Sequence, residues 1–287
     1  MISTADFGPQ VEKIEQTDVI VMHDVSVFGD MNTDIVCPYM TFMLIHRGSD
    51  SGLYDLQPIT QRENELACIL PGHIIHPISC SADFCATVML ISQRLLKDLQ
   101  YRVFSHDYDK FNTFPICTLT ETEVRRIMDF VEQLEAVLRH TDEELPHRYD
   151  MLIAILSVGY EYLNYYRREQ DKVWEDKRHN EMLNQFCELV VEHYKESREV
   201  SFYANMFKLS PKYFSKRICS LTGGLSPADW IERYVAAQAK HIIRTQHPTV
   251  KEAAYALGFN EASSFCRFFK RVTGQTPQQF RAGLDSL

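Results

Sequence analysis

What the sequence lacks narrows it first. Nowhere among the 287 residues is there an uncharged apolar run of the ~18–20 residues that a membrane-spanning helix needs. The best run, MLIAILSVGY (Met151–Tyr160), is too short and reads as part of a buried helix. The opening residues MISTADFGPQ have neither the basic stretch nor the apolar segment of a secretion signal, so the cytoplasm is the expected location, with no membrane partner. There are eight cysteines and no CxxC pair, and without a secretion signal free buried thiols are the default reading. Cys80 and Cys85 could be imagined as a redox pair, but no basic residue stands near them in sequence to lower a thiol pKa. No His-x-His with a nearby Glu offers a metal-ligand set. His73 and His76 are three apart, a spacing that puts them on opposite faces of a strand. Neither a cofactor, a metal nor a catalytic residue is therefore expected.

Charge is what the sequence has in excess, and it is unevenly spread. The net charge is −9, yet residues 200–287 carry 12 Lys and Arg against 5 Asp and Glu. Residues 1–180 carry 16 against 29. An acidic front and a basic back fit a two-domain chain whose back meets a polyanion.

The hydrophobic period changes in the same sense. Between 18 and 91, short β-branched and aromatic runs such as YMTFMLIHR, GLYDLQ, ELACIL and FCATVMLI alternate with turn residues, predicting a β-barrel or sandwich. Thr120 and Glu123 form a possible capping box ahead of apolar residues at helical spacing, and a second helix is expected over about 148–168. These two helices read as a hairpin over about 120–168. The charged stretch RREQDKVWEDKRHN (167–180) reads as the junction, or as a solvated continuation of the second helix, so the domains are placed at 1–172 and 173–287.

The basic half contains an internal repeat. Phe214 precedes Thr222-Gly223 by the same eight positions as Phe265 precedes Thr273-Gly274. Each copy continues to Ser/Thr-Pro and an aromatic residue. Upstream, Val200 and Ala204 match Val250 and Ala254. Each copy therefore reads as a short helix, a tight turn and a second helix, over about 200–222 and 250–274. Gly258 is suited to φ > 0 at the turn, and Asn260 to capping the helix that follows. On a helical wheel Phe265, Phe268, Phe269 and Val272 share one stripe, with Ser263, Arg267 and Lys270 opposite and Arg271 nearby. In the first copy Phe214, Ile218 and Leu221 form the stripe, and Lys212 and Lys216 lie opposite. Small polar and basic residues facing outward are what a helix lying in a DNA major groove requires. Between the copies, 227–246 predicts a stiff helix of roughly 30 Å, close to the ~34 Å between successive major-groove faces.

At these residues the chain resembles the AraC/XylS family of transcription regulators. TVKEAAYALGFNEASSFCRFFKRVTGQTPQQFR (249–281) carries the likeness, through Gly258-Phe259, Phe265, Arg267, Phe269-Lys270-Arg271, Gly274 and Thr276-Pro277. The first copy diverges, with Ile218-Cys219 and one extra residue before Ser226-Pro227. LPGHIIHP (70–77) is similar to a stretch of the family's effector domain. The resemblance implies an α+β chain: an N-terminal cupin-like barrel with a helical hairpin, then an all-α domain with two helix-turn-helix units joined by a long helix. It implies duplex DNA and RNA polymerase as partners, activation of transcription, no enzymatic activity, and a front domain that binds a small molecule, forms a homodimer, or both. The implied DNA-contacting residues are Lys212, Tyr213, Ser215 and Lys216, then Ala262, Ser263, Cys266 and Arg267, to which the charge pattern adds Lys270 and Arg271. Tyr39, His46, Arg47, Tyr54 and His76 could line an effector pocket. A regulator controlled by a protein partner without any ligand is the alternative, and a metal-dependent cupin enzyme a distant one.

Overall fold

Alternation decides the front of the molecule. In a computed structural model that describes residues 14–26, 33–102, 116–174, 181–222, 224–246 and 248–284, a single-turn helix α1 (Ile14–Thr17) leads into strand β1 (Val19–Val25). The chain continues through β2 (Ile35–Val36), β3 (Met40–Arg47), β4 (Ser49–Tyr54), β5 (Gln57–Arg62), β6 (Glu65–Ile69), β7 (Ile74–Cys80) and β8 (Cys85–Ile91). Helix α2 (Gln93–Arg102) and the short strand β9 (Ile116–Thr118) follow. Two compact units result, changing over between residues 179 and 180, with Asp34–Val36 and Asp55–Gln57 grouped with the second.

In the first unit the larger sheet runs β1-β8-β3-β6-β9, with the β1–β8, β8–β3, β3–β6 and β6–β9 pairs all antiparallel. Strand β8, between β1 and β3, is buried at every position, matching its unbroken CATVMLI run. One face holds Met22, Met43, Ile45, Ala86 and Val88. The other, with Met40, Leu44, Met89 and Ile91, is covered by helices. In the second sheet β4 lies between β7 and β5, and β4 pairs antiparallel with β7. Among the described residues the strands form two sheets, with β1 and the three-residue β9 at the edges of the larger one, and do not close into a barrel, the first of the two architectures read from the strand pattern. The run GLYDLQ, read as one strand, is broken by a turn at Asp55, whose φ of 51° is left-handed.

The hairpin is α3 (Glu121–Leu138) and α4 (Arg148–Trp174). The Thr120–Glu123 capping box is present in both directions, and Ile127, Val131, Leu134 and Val137 face inward. The charged stretch from Arg167 continues α4 to Trp174, the second of its two sequence readings, while 175–180 lie outside the described residues.

The second unit is helical: α5 (Glu181–His193), α6 (Val200–Met206), α7 (Pro211–Leu221), α8 (Pro227–Gln246), α9 (Val250–Ala256), α10 (Ala262–Thr273) and α11 (Pro277–Leu284). Its core is aromatic, with Phe186, Tyr203, Phe214, Trp230, Tyr234, Phe265 and Phe269 fully buried. Burying such rings contributes roughly 1.5–3 kcal/mol each. They hold in place helices too short to be stable alone.

Candidate nucleic-acid interface

The two short-helix pairs are built to one plan. In the first, α6 ends at Met206, Leu209 N–H donates to the Ala204 carbonyl, and α7 begins after Ser210. The Ser210 side chain accepts from Tyr213 N–H and Pro211 occupies the first turn, a strong helix start. In the second, Thr249 and Glu252 form a capping box on α9, and Phe259 N–H donates to the Ala254 carbonyl as Leu209 does to Ala204. The turn positions Lys208 and Gly258 correspond, with φ of 55° and 73°. Gly258 has a second reason to be glycine: a Cβ there would lie 2.0 Å from the Lys195 carbonyl oxygen.

Asn260 does not cap α10, contrary to the sequence reading. The cap position is Glu261, which makes no side-chain bond to the helix N–H groups; its carboxylate accepts from Ser263 Oγ at 3.0 Å. Phe259 is buried against Phe265 and Phe268, at ring separations of 5.4 and 5.3 Å. Anchoring that ring sets the turn one residue longer than in the first copy. Gly274, in the left-handed conformation, ends the helix.

Each second helix divides by face as its sequence requires. On α10 Phe265, Phe268 and Phe269 are buried, while Ser263, Arg267, Lys270 and Arg271 are exposed; Ala262 and Cys266 lie at the flank, half-buried. On α7 Phe214 and Ile218 are buried, Lys212, Tyr213 and Lys216 are exposed, and Ser215 is half-buried. Arg217, not singled out from the sequence, is exposed as well. It stands four residues after Tyr213, one helical turn along the same face, and that spacing is the signal that could have found it. Gly223, part of the repeat, lies outside the described residues.

Arg271 differs from its neighbours. Its guanidinium donates to both carboxylate oxygens of Glu232 on α8, at 2.6 and 2.9 Å, and sits over the Phe268 ring at 5.7 Å. The Glu232 hydrogen bond pushes its pKa further up. Among the described residues Arg267 reaches only Ser264 Oγ, at 3.5 Å. In the free chain Arg271 therefore ties α10 to the linking helix, while Arg267 projects outward. The linking helix is 20 residues long, as the sequence predicts.

The five candidate effector residues are not brought together. Arg47 is exposed on β3. Tyr39 packs with the sheet face away from the hairpin, and Tyr54 is buried and stacked on His73 at 5.2 Å. His76 is half-buried on β7, opposite Leu53 of β4. Only His46 points toward the hairpin side, where Nε2 lies 2.7 Å from Thr87 Oγ1. That hydroxyl also contacts His23 Nδ1 at 3.2 Å, and His23 Nε2 reaches Glu135 of α3 at 3.0 Å. Burial, then the neighbouring His23, lowers the pKa of His46. Thr87 also lines an apolar cavity of about 60 Å³ between sheet and hairpin, with Phe42, Met89, Met128, Phe130 and Tyr160. Among the described residues no three His, Cys, Asp or Glu side chains cluster as a metal ion would need, and no helix is long and apolar enough to cross a membrane.

A family model described as a helix-turn-helix domain matches residues 203–283. The HTH-type transcriptional activator RhaS of Klebsiella pneumoniae (strain 342) is 21% identical over 85% of this chain and 86% of its own. RhaS of Salmonella schwarzengrund (strain CVM19633) is 30% identical over 37% of each chain. Among solved structures, ToxT from Vibrio cholerae O395 aligns over 94% of this chain and 99% of its own at 12% identity, with a TM-score of 0.43.

Proposed function

We propose that the chain is a DNA-binding transcriptional regulator of the AraC/XylS family that activates transcription from a bipartite operator, α7 and α10 entering successive major grooves. The observation that carries this reading is the matched pair of outward faces at the two ends of one 20-residue helix. At 1.5 Å per residue that helix spans roughly 30 Å, near the groove repeat of ~34 Å. Lys212, Lys216, Arg267 and Lys270 supply cations for phosphates or guanine edges, the Tyr213 hydroxyl can meet a phosphate, and the small Ser215, Ala262, Ser263 and Cys266 let the backbone come close. Activation is supported by the likeness to RhaS, an HTH-type transcriptional activator, and contact with RNA polymerase in the cytoplasm is the proposed route.

The front unit is proposed to dimerise the chain and to receive the signal. Dimerisation is supported by an apolar stripe on α4: Met151, Val158, Tyr162 and Tyr165 are exposed on one side, at intervals near the helical repeat. Single exposed apolar residues are ordinary, whereas a contiguous stripe marks a surface that another chain can cover. A small-molecule effector is supported by the cavity beside Thr87 and His46. At about 60 Å³ it is well below the ~300 Å³ of ordinary ligand sites, so a ligand would have to displace the methionines that line it. That small volume equally favours the second reading, control by a protein partner with no ligand.

The test is a salt titration of the full chain on duplexes enriched from a random pool. Phosphate neutralisation predicts a linear fall of log affinity with log salt, with a slope of about −0.9 per phosphate contacted. A flat response would mean that the basic faces are incidental. Sedimentation that finds only monomer at high concentration would remove the dimer.

A further inference from the structure

The two helix-turn-helix units are joined by more than α8. The short link between α5 and α6 carries Arg198, which reaches across to the second unit. Its Nη1 donates to the Leu257 carbonyl at 3.1 Å and its Nη2 to the Gly258 carbonyl at 3.3 Å. Its guanidinium carbon lies 3.8 Å from the centre of the Phe259 ring. The two carbonyls are at the C-terminal end of α9, where unpaired acceptors and the helix dipole favour a cation. The neighbouring backbone closes equally tightly: Lys195 passes so near Gly258 that no side chain fits between them.

The clamp continues in both directions. Phe259 packs on Phe265 and Phe268 of the second reading helix α10. On the other side, the Tyr203 hydroxyl donates to the Ser197 carbonyl at 2.9 Å. Tyr203 meets Phe186, and Phe186 meets Phe214 of the first reading helix α7, at ring separations of 5.8 and 5.3 Å. A line of rings and backbone therefore runs from α7 to α10, with Arg198 at its crossing point. A lysine could not replace it, because two carbonyls and a ring face require a planar fork.

We propose that Arg198 is a positioning residue that fixes the separation and relative orientation of α7 and α10, and thereby the operator half-site spacing the chain accepts. Helix α8 bounds the axial distance between the units; Arg198 stops the second unit from rolling about that helix and so holds α10 at one separation from α7. This inference rests on both helices reading DNA. Loosening the joint lowers the effective concentration of the second reader at its half-site and widens the range of spacings it can reach.

The experiment enriches duplexes from a random pool with the full-length wild-type chain and with Arg198→Ala, Arg198→Met and Arg198→Lys. The wild type should enrich two short half-sites at one separation. All three variants should keep both half-sites but accept separations one or more base pairs longer or shorter. On the wild-type duplex their affinity should fall about tenfold, with a smaller loss on a duplex carrying one inserted base pair. Unchanged separation in the variants overturns the proposal. So does unfolding of both Arg198→Ala and Arg198→Met, or full recovery by Arg198→Lys, since either would make Arg198 a residue of stability or plain charge. A wild type that enriches only a single half-site would instead sink the two-helix reading on which the inference rests.

Discussion

The two helix-turn-helix units share a plan but differ in how each is secured. The first has a capped recognition helix, with Ser210 and Pro211 at its start, and a lysine in the left-handed turn position. The second has an uncapped recognition helix, but its turn is glycine and is pinned from outside by Arg198 and by Lys195. Its helix is also tied to α8 through Arg271 and Glu232. At the turn and the start of the recognition helix, the first unit is thus held by local signals and the second by contacts from elsewhere in the chain. A repeat can preserve its geometry while the forces that impose that geometry change between copies.

The largest consequence should appear at the paired turn positions. Gly258→Ala meets a left-handed backbone, worth about 1–2 kcal/mol, and in addition drives a Cβ into the Lys195 backbone. A loss of several kcal/mol is expected, against under about 0.5 kcal/mol for Lys208→Ala, since lysine and alanine share the same strain there. Thermal unfolding of the two variants decides this; similar losses would mean the turns are not secured differently.

Helix α8 serves both units, so a titration within it should loosen both together. His241 of α8 has its pKa lowered from 6.5 to about 4, first by burial and then by Arg244. The unfolded chain therefore takes up a proton at a higher pH than the folded one. The contribution of this site is complete above about pH 6.5 and is lost as pH falls toward 4, by as much as about 3 kcal/mol. In the front unit Asp50 has the opposite sign: burial raises its pKa from 3.8 to about 6, so its charge costs stability above pH 6 and that cost fades as pH falls. Hydrogen exchange between pH 7 and 4.5 should show α7 and α10 losing protection in parallel, with His241→Gln reducing the loss. Loss confined to one unit would break the idea of a shared support.

Smaller effects separate the two reading faces. Arg267→Ala and Lys216→Ala should each lower affinity, by about 1–3 kcal/mol where a base edge is read. Arg271→Ala should cost less DNA affinity than Arg267→Ala, because Glu232 already occupies it, and under about 1 kcal/mol of stability, as exposed ion pairs do. Competition binding on the enriched duplex ranks them; an Arg271 loss above that of Arg267 would reverse the assignment. Smallest of all, Lys208→Gly should stabilise the first turn by up to about 1 kcal/mol, by relieving left-handed strain.

How much of this was legible in the sequence follows from the range of each interaction. The Thr120–Glu123 box, the Phe265–Phe268–Phe269 stripe and the length of α8 depend on residues within a few positions of one another, and spacing revealed them. The outward basic faces followed from the same wheel. Arg217 is hidden from such a wheel because it lies nearer the buried Phe214 stripe than the positions opposite it, one turn after Tyr213. The start of α10 was misplaced by one residue because burial of Phe259, a tertiary effect, overrides the capping preference of Asn260. The sequence left barrel and sandwich both open because strand patterns report faces and not closure. Arg198 and Glu232 act on partners 59 and 39 residues away, and nothing in local spacing points to them.

The central claim is that α7 and α10 of one chain read two separate groove segments. Hydroxyl-radical protection of the enriched duplex, with wild type, Lys216→Ala and Arg267→Ala compared side by side, tests it most directly. The account predicts two protected patches on one face of the DNA, about one helical turn apart, with Lys216→Ala weakening one patch and Arg267→Ala the other. A single patch, or both substitutions weakening the same one, would contradict it.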